Sequence, residues 1–426
     1  MTAILQVLGD PKGYKSARFV IDGKEYRQRF LALAIREWLK EGEIIFLVPD
    51  SLVTRIERDM EEALKLLKDR KKFRKRISEL LEVDADLLII PSVGTYTGDY
   101  TARFEGSIEN TIVFVFKELV KRGFNDIYAD ISTGLNIFTT AMIEALRKYL
   151  TYKKLKRILQ GGDKITSKLV FVPQILVENQ AVKVELHDFD VQAFFSLPDA
   201  SPKEICADID TKIGISRKYD KFFKEITGHI RTLRMAFNGI KYNTPLVFYH
   251  PGIIDLDIDA EKIEREFMKI IDELEDLKEI FVSDRTITVR RPVIVSGNVV
   301  NTFFAISMLS SIIDFWKSLS EPEIDSILKT FKSLYENLGL EVNSRFLERD
   351  IETIKELAEN LKGEKLLLEL YPSSGKSKSK DKKRNFFAHS GFLREITLVK
   401  KECDRITLRY LPESIKEIRS WLDDPK

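Results

Sequence analysis

What most constrains this chain is a repeated alternation, through its N-terminal half, of short apolar runs with segments of helical period. Ile4–Leu8, Ile44–Val48, Leu87–Ile90 and Ile127–Ala129 read as buried strands, each cut off nearby by Gly, Pro or Asp. Arg29–Leu39, Leu52–Leu81 and Thr111–Leu119 lie between them with apolar residues at helical spacing, the second as one long charged helix. Phe138–Leu150 is again helical, and Leu169–Val172 and Val182–Leu186 read as late strands. Strands alternating with helices predict a parallel, doubly wound α/β sheet. Ligands of such sheets sit at the carboxyl ends of the strands, where the strand order reverses.

Three loops are expected at such ends: Gly9, Asp10, Pro11, Lys12 and Gly13; Ser92 to Tyr96, with Gly94, Thr95 and Tyr96; and Ser132, Thr133, Gly134, Leu135 and Asn136. Gly134 would let the backbone approach a ligand closely. Ser132, Thr133 and the first amides of the following helix would offer donors to an anion. The same residues also make ordinary helix caps, so both readings stand on composition alone. No nucleotide-triphosphate loop is spelled out, because Tyr14 interrupts the Gly-Lys pair after Gly13, and Leu370 stands where the first Gly before Gly375-Lys376 is required. No Gly-x-Gly-x-x-Gly follows the first strand either.

Ser196, Pro198, Ser201 and Pro202 break periodicity and place a boundary in 195–203, giving domains at 1–195 and 196–426. Tyr219–Phe237, Ala260–Leu277, Asp325–Leu338, Arg345–Leu361 and Ile415–Leu422 predict a mostly helical second half, and Ile406–Tyr410 a hairpin strand. Leu246–Tyr249 and Ile280–Val289 look extended, so 196–290 holds a linker or inserted element. Val293–Trp316 is the most apolar stretch; Asn298, Asn301 and Asp314 interrupt it and make it a buried helix rather than a membrane span.

Chemistry concentrates in Arg384, Asn385, Phe386, Phe387, Ala388 and His389, where Phe386, Phe387 and Ala388 are expected in a core. On a helix of about 100° per residue, Arg384 and His389 can converge on one crevice. A guanidinium fork matches phosphate oxygens, and an imidazole exchanges protons near neutral pH. Together they suffice for metal-free cleavage of a phosphodiester. Upstream, Lys376, Lys378, Lys380, Lys382 and Lys383 lie in a Ser/Gly-rich stretch with Asp381 alone opposing them, which reads as a cationic loop that gathers RNA. The basic run Lys68–Arg76 reads instead as a solvated helix face. His187, His229 and His250 have no metal-ligand spacing with each other or with Cys206 and Cys403, so no metal site is expected.

The Arg384–His389 run resembles the signature of HEPN ribonucleases. The first-strand loop together with Asp130-Ile131-Ser132-Thr133-Gly134-Leu135-Asn136 resembles a CARF domain, a Rossmann-like sensor of CRISPR defence. CARF followed by HEPN resembles the CRISPR-associated CARF–HEPN ribonucleases of type III systems. That resemblance implies a homodimer, with further assembly left open, whose CARF pair binds a cyclic oligoadenylate, cyclic tetra-adenylate being favoured. Binding would activate a composite HEPN site, built on Arg384, Asn385 and His389, against single-stranded RNA. No cofactor is implied beyond that allosteric activator. Two other readings remain: a CARF-regulated nucleic-acid-binding transcriptional regulator without nuclease activity, and a HEPN toxin that needs no ring.

The formal net charge of +2 makes overall attraction to nucleic acid weak, so binding must come from local patches. Two cysteines fit a reducing cytoplasm, a start directly into a strand leads to the expectation of no signal peptide, and no membrane partner is expected.

Overall fold

A computed structural model describes residues 1–132, 136–160, 165–206, 208–372 and 381–425, with residue 136 placed by its backbone only. β1 (Thr2–Val7) is followed by a hairpin of β2 (Ala17–Ile21) and β3 (Lys24–Gln28), then α1 (Leu31–Leu39) and β4 (Glu43–Pro49). The expected single helix over 52–81 is instead a chain of three: α2 (Val53–Ile56), α3 (Met60–Lys68) and α4 (Arg70–Leu81). α2 ends where Glu57 turns to extended backbone, and two aspartates start the helices that follow. Asp59 and Asp69 take extended backbone and accept N–H bonds from Glu62 and from Lys71 and Lys72, Asp59 capping α3 and Asp69 both ending α3 and capping α4.

β5 (Asp86–Ile90), a hairpin of β6 (Gly94–Thr97) and β7 (Thr101–Glu105), α5 (Ile108–Arg122), β8 (Asp126–Asp130), α6 (Asn136–Leu155) and β9 (Thr166–Phe171) follow. The expected strand 182–186 is two strands, β10 (Gln180–Lys183) beside β2 and β11 (Glu185–Asp188) beside β9. The main sheet runs β11-β9-β8-β1-β4-β5, parallel except for β11. Alternate residues of β1 feed two cores: Ile4 and Leu8 face α1, α3 and α4, while Leu5 and Val7 face α5 and α6. The order reverses between β1 and β8, which puts the ligand-binding crevice of such a sheet at their carboxyl ends.

The second half is mostly helical: α7 (Ile209–Lys218), α8 (Asp220–Lys241), α9 (Ala260–Asp276), α10 (Asn298–Lys317), α11 (Ile324–Asn337) and α12 (Glu341–Leu357). Then come β14 (Gly363–Leu366), α13 (Leu367–Leu370), α14 (Lys382–Ala388), β15 (Thr397–Glu402), β16 (Arg405–Tyr410) and α15 (Ile415–Asp423). Residues 246–249, expected extended, belong to a buried 3-10 turn started by Pro245, whose fixed φ suits a first helical position. The predicted extended stretch 280–289 is a hairpin, β12 (Glu279–Ser283) with β13 (Thr286–Arg290).

That hairpin leaves its own half. β13 pairs in parallel with β7, so one four-stranded sheet, β12-β13-β7-β6, draws strands from both halves of the chain. Arg291 locks it there through an ion pair to Asp50 at 2.7 Å, with both side chains buried. On the opposite side the α5–α6 core continues into the helices: Phe116 meets Phe303 edge to face, and Ser307 Oγ donates to the Tyr152 carbonyl at 2.6 Å. Lys117 is buried between them, against Glu275 at 2.8 Å and Asp272. Burial opposes its charge, yet those carboxylates hold its pKa above the usual lysine value. α10, long and apolar enough to cross a membrane by composition, is largely buried inside this shared core.

Candidate functional sites

The first site lies at the β1–β8 switch point, a cavity of about 330 Å³. Gly9 and Asp10 line it from the first loop and Ser132 from the loop after β8. Pro11 and Lys12 do not line it; Pro11 is buried in the short turn behind and its carbonyl accepts from Arg29. Gly94, Thr95 and Tyr96 lie on β6, in the four-stranded sheet, and not on the cavity. Thr133 and Gly134 lie outside the described residues, as does the side chain of Asn136 at the start of α6. Ser132 ties the loop to its neighbour strand, its hydroxyl accepting from Val172 N at 2.8 Å. Gly9 is held against Tyr14, whose hydroxyl accepts its N–H at 2.8 Å; a Cβ there would meet that oxygen at 3.3 Å.

Sequence reading missed Gln6, Tyr14, Lys15, Arg29, Asp130 and Gln174, all on the cavity wall. Asp130 stood inside the quoted motif, but nothing local said that its carboxylate is wholly buried. Burial raises its pKa to about 6, against hydrogen bonds from the Ser132 backbone and side chain that pull the other way. Lys15 and Arg29 give the rim positive charge beside these acids, a mix suited to a polar, anionic ligand.

The second site is built around α14. Asp381 caps the helix by accepting from Arg384 N at 2.9 Å, and Phe386 anchors it, fully buried against Tyr410 and Trp421. Phe387 is half-buried against Tyr242, and Ala388 is exposed rather than in the core as expected. The helix ends before the histidine. His389 sits at the C-cap with non-helical backbone, Ser390 takes φ 50°, and Gly391 (φ 79°) returns its N–H to the Phe386 carbonyl at 2.9 Å. This is a Schellman closure with Ser where Gly is usual. A Cβ on Gly391 would meet Tyr410 Oη at 3.0 Å and Thr244 at 3.1 Å.

The left-handed Ser390 is held by a network. Its hydroxyl donates to Asp350 Oδ2 at 2.7 Å and accepts from Asn243 Nδ2 at 2.9 Å. The other oxygen of Asp350, on α12, stands 3.8 Å from His389 Nδ1, an ion-pair distance longer than a hydrogen bond. Asp350 is mostly buried while the His389 side chain remains 44% exposed, so the ring is backed by a carboxylate yet reachable by substrate. Arg384 is exposed on the same helix and Asn385 half-buried. Asp350 was missed because its contact with His389 arises only from the packing of α12 beside α14. Lys382 is exposed and only loosely paired, 3.9 Å from Glu417; Lys383 is half-buried. Lys376, Lys378 and Lys380 lie outside the described residues. Among the described residues no three His, Cys, Asp or Glu side chains group as a metal ion would require.

Two family models match the chain in order. The CARF domain of the CRISPR system endoribonuclease Csx1 matches residues 3–173, and its HEPN domain matches 340–413. The chain belongs to the CRISPR-associated CARF–HEPN ribonucleases. No curated protein matches it. The CARF match contains the β1–β8 switch point, and the HEPN match contains Asp350, Arg384 and His389. This CARF–HEPN protein is therefore a CRISPR-associated ribonuclease regulated by a ligand-binding domain.

Proposed function

We propose that this CARF–HEPN protein cuts single-stranded RNA in the cytoplasm without a divalent metal, as a homodimer switched on by a cyclic oligoadenylate, cyclic tetra-adenylate in first place. The observation that carries this reading is the half-exposed His389 backed by Asp350, one short helix along from the exposed Arg384. The RNA 2′-hydroxyl attacks its own 3′-phosphate, and the bond to the 5′-oxygen of the next nucleotide breaks. His389 takes the hydroxyl proton or supplies one to the leaving oxygen, and the second His389 of a dimer is available for the complementary transfer. Arg384 stabilises the charge gathering on the phosphoryl oxygens, and Asn385 orients the phosphate or the ring. Products carry a 2′,3′-cyclic phosphate and a 5′-hydroxyl.

At the other end, the cavity and its partner copy meet the rotational symmetry of a ring with the same loops from each protomer. The ring favours the active arrangement by binding it better. The hairpin β12–β13 and the α5–α6/α9–α10 core join the sensor to the helical half by strand pairing and a shared core, which supports transmission of that bias.

The test is cleavage of a labelled single-stranded RNA in EDTA, with and without cyclic tetra-adenylate, by wild type and His389→Ala. Ring-dependent cutting by wild type alone is expected, with cyclic-phosphate ends. Cutting abolished by EDTA, or retained in His389→Ala, would overturn the mechanism. Cutting indifferent to every ring would remove the sensor.

A further inference from the structure

The parallel register sets Gln6 of β1 directly beside Asp130 of β8. Paired residues on adjacent strands point to one face, so a carboxamide and a carboxylate emerge as neighbours at the switch point. Both residues are almost fully buried, 2% and 1% exposed, and both line the cavity. Each has one polar atom already committed. Ala32 N donates to Gln6 Oε1 at 3.2 Å, and Ser132 N donates to Asp130 Oδ1 at 2.8 Å. A backbone N–H can only donate, so the Gln6 oxygen must face α1, and Nε2 is the atom left for a ligand. Asp130 also takes a hydrogen bond from the Ser132 hydroxyl, and the two oxygens of a carboxylate still have acceptor sites left to turn to the cavity. The cavity is thus offered one N–H donor beside one anionic acceptor, in fixed order.

That order complements one class of base edge. Adenine presents an amino donor at N6 next to a ring-nitrogen acceptor; guanine and hypoxanthine put a carbonyl oxygen where the amine would be. We propose that Gln6 and Asp130 are the base-reading pair of this cavity, selecting an amino-bearing base over its 6-oxo counterpart. The inference rests on the reading of the cavity as the ring sensor. The exocyclic amine donates to the Asp130 carboxylate, and the ring nitrogen accepts from Gln6 Nε2. An oxo base would set its carbonyl oxygen against a buried carboxylate, two acceptors with no proton between them, and selectivity arises from that rejection as much as from the match. Cytosine carries the same donor–acceptor edge, so the pair separates amino from oxo bases and leaves purine against pyrimidine to the shape of the cavity.

The test is calorimetric titration of the full-length protein with cyclic tetra-adenylate and with cyclic tetra-inosinate, which differs at the amino position. Wild type is expected to prefer the adenylate ring by about tenfold or more. In Asp130→Asn the Oδ1 contact to Ser132 N can persist while the other oxygen is replaced by an amino donor. The adenylate preference should then fall by about tenfold or more, with the inosinate ring gaining. Gln6→Glu, which keeps the acceptor for Ala32 N and loses the donor, should weaken adenylate binding. Equal binding of the two rings by wild type overturns the inference while leaving the sensor standing, and needs no variant to fold. An undiminished adenylate preference in a folded Asp130→Asn overturns it as well. Failure of wild type to bind either ring overturns the sensor reading and this inference with it.

Discussion

Ser390 spends φ 50° to turn the chain after His389, a conformation that a residue with a Cβ adopts at a cost of about 1–2 kcal/mol. The hydroxyl recovers part of that cost by bridging Asn243 and Asp350, and Asp350 is thereby fixed behind the imidazole. Arg384, Asn385 and His389 could be singled out in sequence because they stand within six consecutive residues, the first two on α14 and His389 at its C-cap. Asp350 could not, since its role depends on α12 lying beside α14. In the proposed mechanism Asp350 would act through His389, as a positioning residue. Asp350→Asn keeps an oxygen for the Ser390 hydroxyl and removes the charge facing the ring. It should lower kcat by roughly tenfold to a hundredfold, less than the effect of losing the imidazole, with KM and melting temperature little changed. Steady-state cleavage alongside thermal unfolding checks this. A loss confined to KM, or a matching fall in melting temperature, would make the residue merely structural.

At the scale of elements, periodicity identified most helices and the inner strands, and failed where local capping or distant pairing took over. Apolar spacing continues through Asp59 and Asp69, yet their side chains cap the starts of α3 and α4 and make them separate helices. The stretch 182–186 looked like one strand because both its halves are extended; only the third dimension assigns them to different sheets. The hairpin β12–β13 was visible as extended chain, but its partner β7 lies far back in sequence and no local signal names it. Its lock, Arg291 with Asp50, is buried, and Nε and Nη1 of Arg291 have no hydrogen-bond partner among the described residues. Asp50→Asn leaves that guanidinium charge buried without its counter-charge and should cost about 3–5 kcal/mol. Asp50→Asn with Arg291→Met should recover much of the loss, since an apolar pair of similar size removes the stranded charge. Denaturant midpoints of the single and double variants decide it; a double variant no better than the single would mean the ion pair is not the source of the cost.

For the whole molecule, the doubly wound sheet and its switch point follow from strand order, so the sensor's place was readable while the atoms lining it were not. The helical half carries its His389 on a surface-reachable turn, and one imidazole at the site of each copy is short of the two proton carriers that the proposed cleavage would require. Val342 and Phe346 stand 64% and 45% exposed one turn apart on α12, the helix that also carries Asp350. An apolar strip beside the site fits the face through which two copies would bring both histidines together. A composite site makes a quantitative statement about mixtures. If wild type and His389→Ala exchange freely and a site needs both histidines, activity at fixed total protein follows the square of the wild-type fraction. An equal mixture should then keep about a quarter of the activity, against about half if each copy works alone, from random pairing of a two-fold dimer. Phe346→Glu should weaken the pairing in sedimentation and, with it, the cleavage. Activity that falls in simple proportion to the wild-type fraction, with dimers shown to exchange, would place both proton transfers within one copy and send the search for the second carrier back to the residues around Asp350.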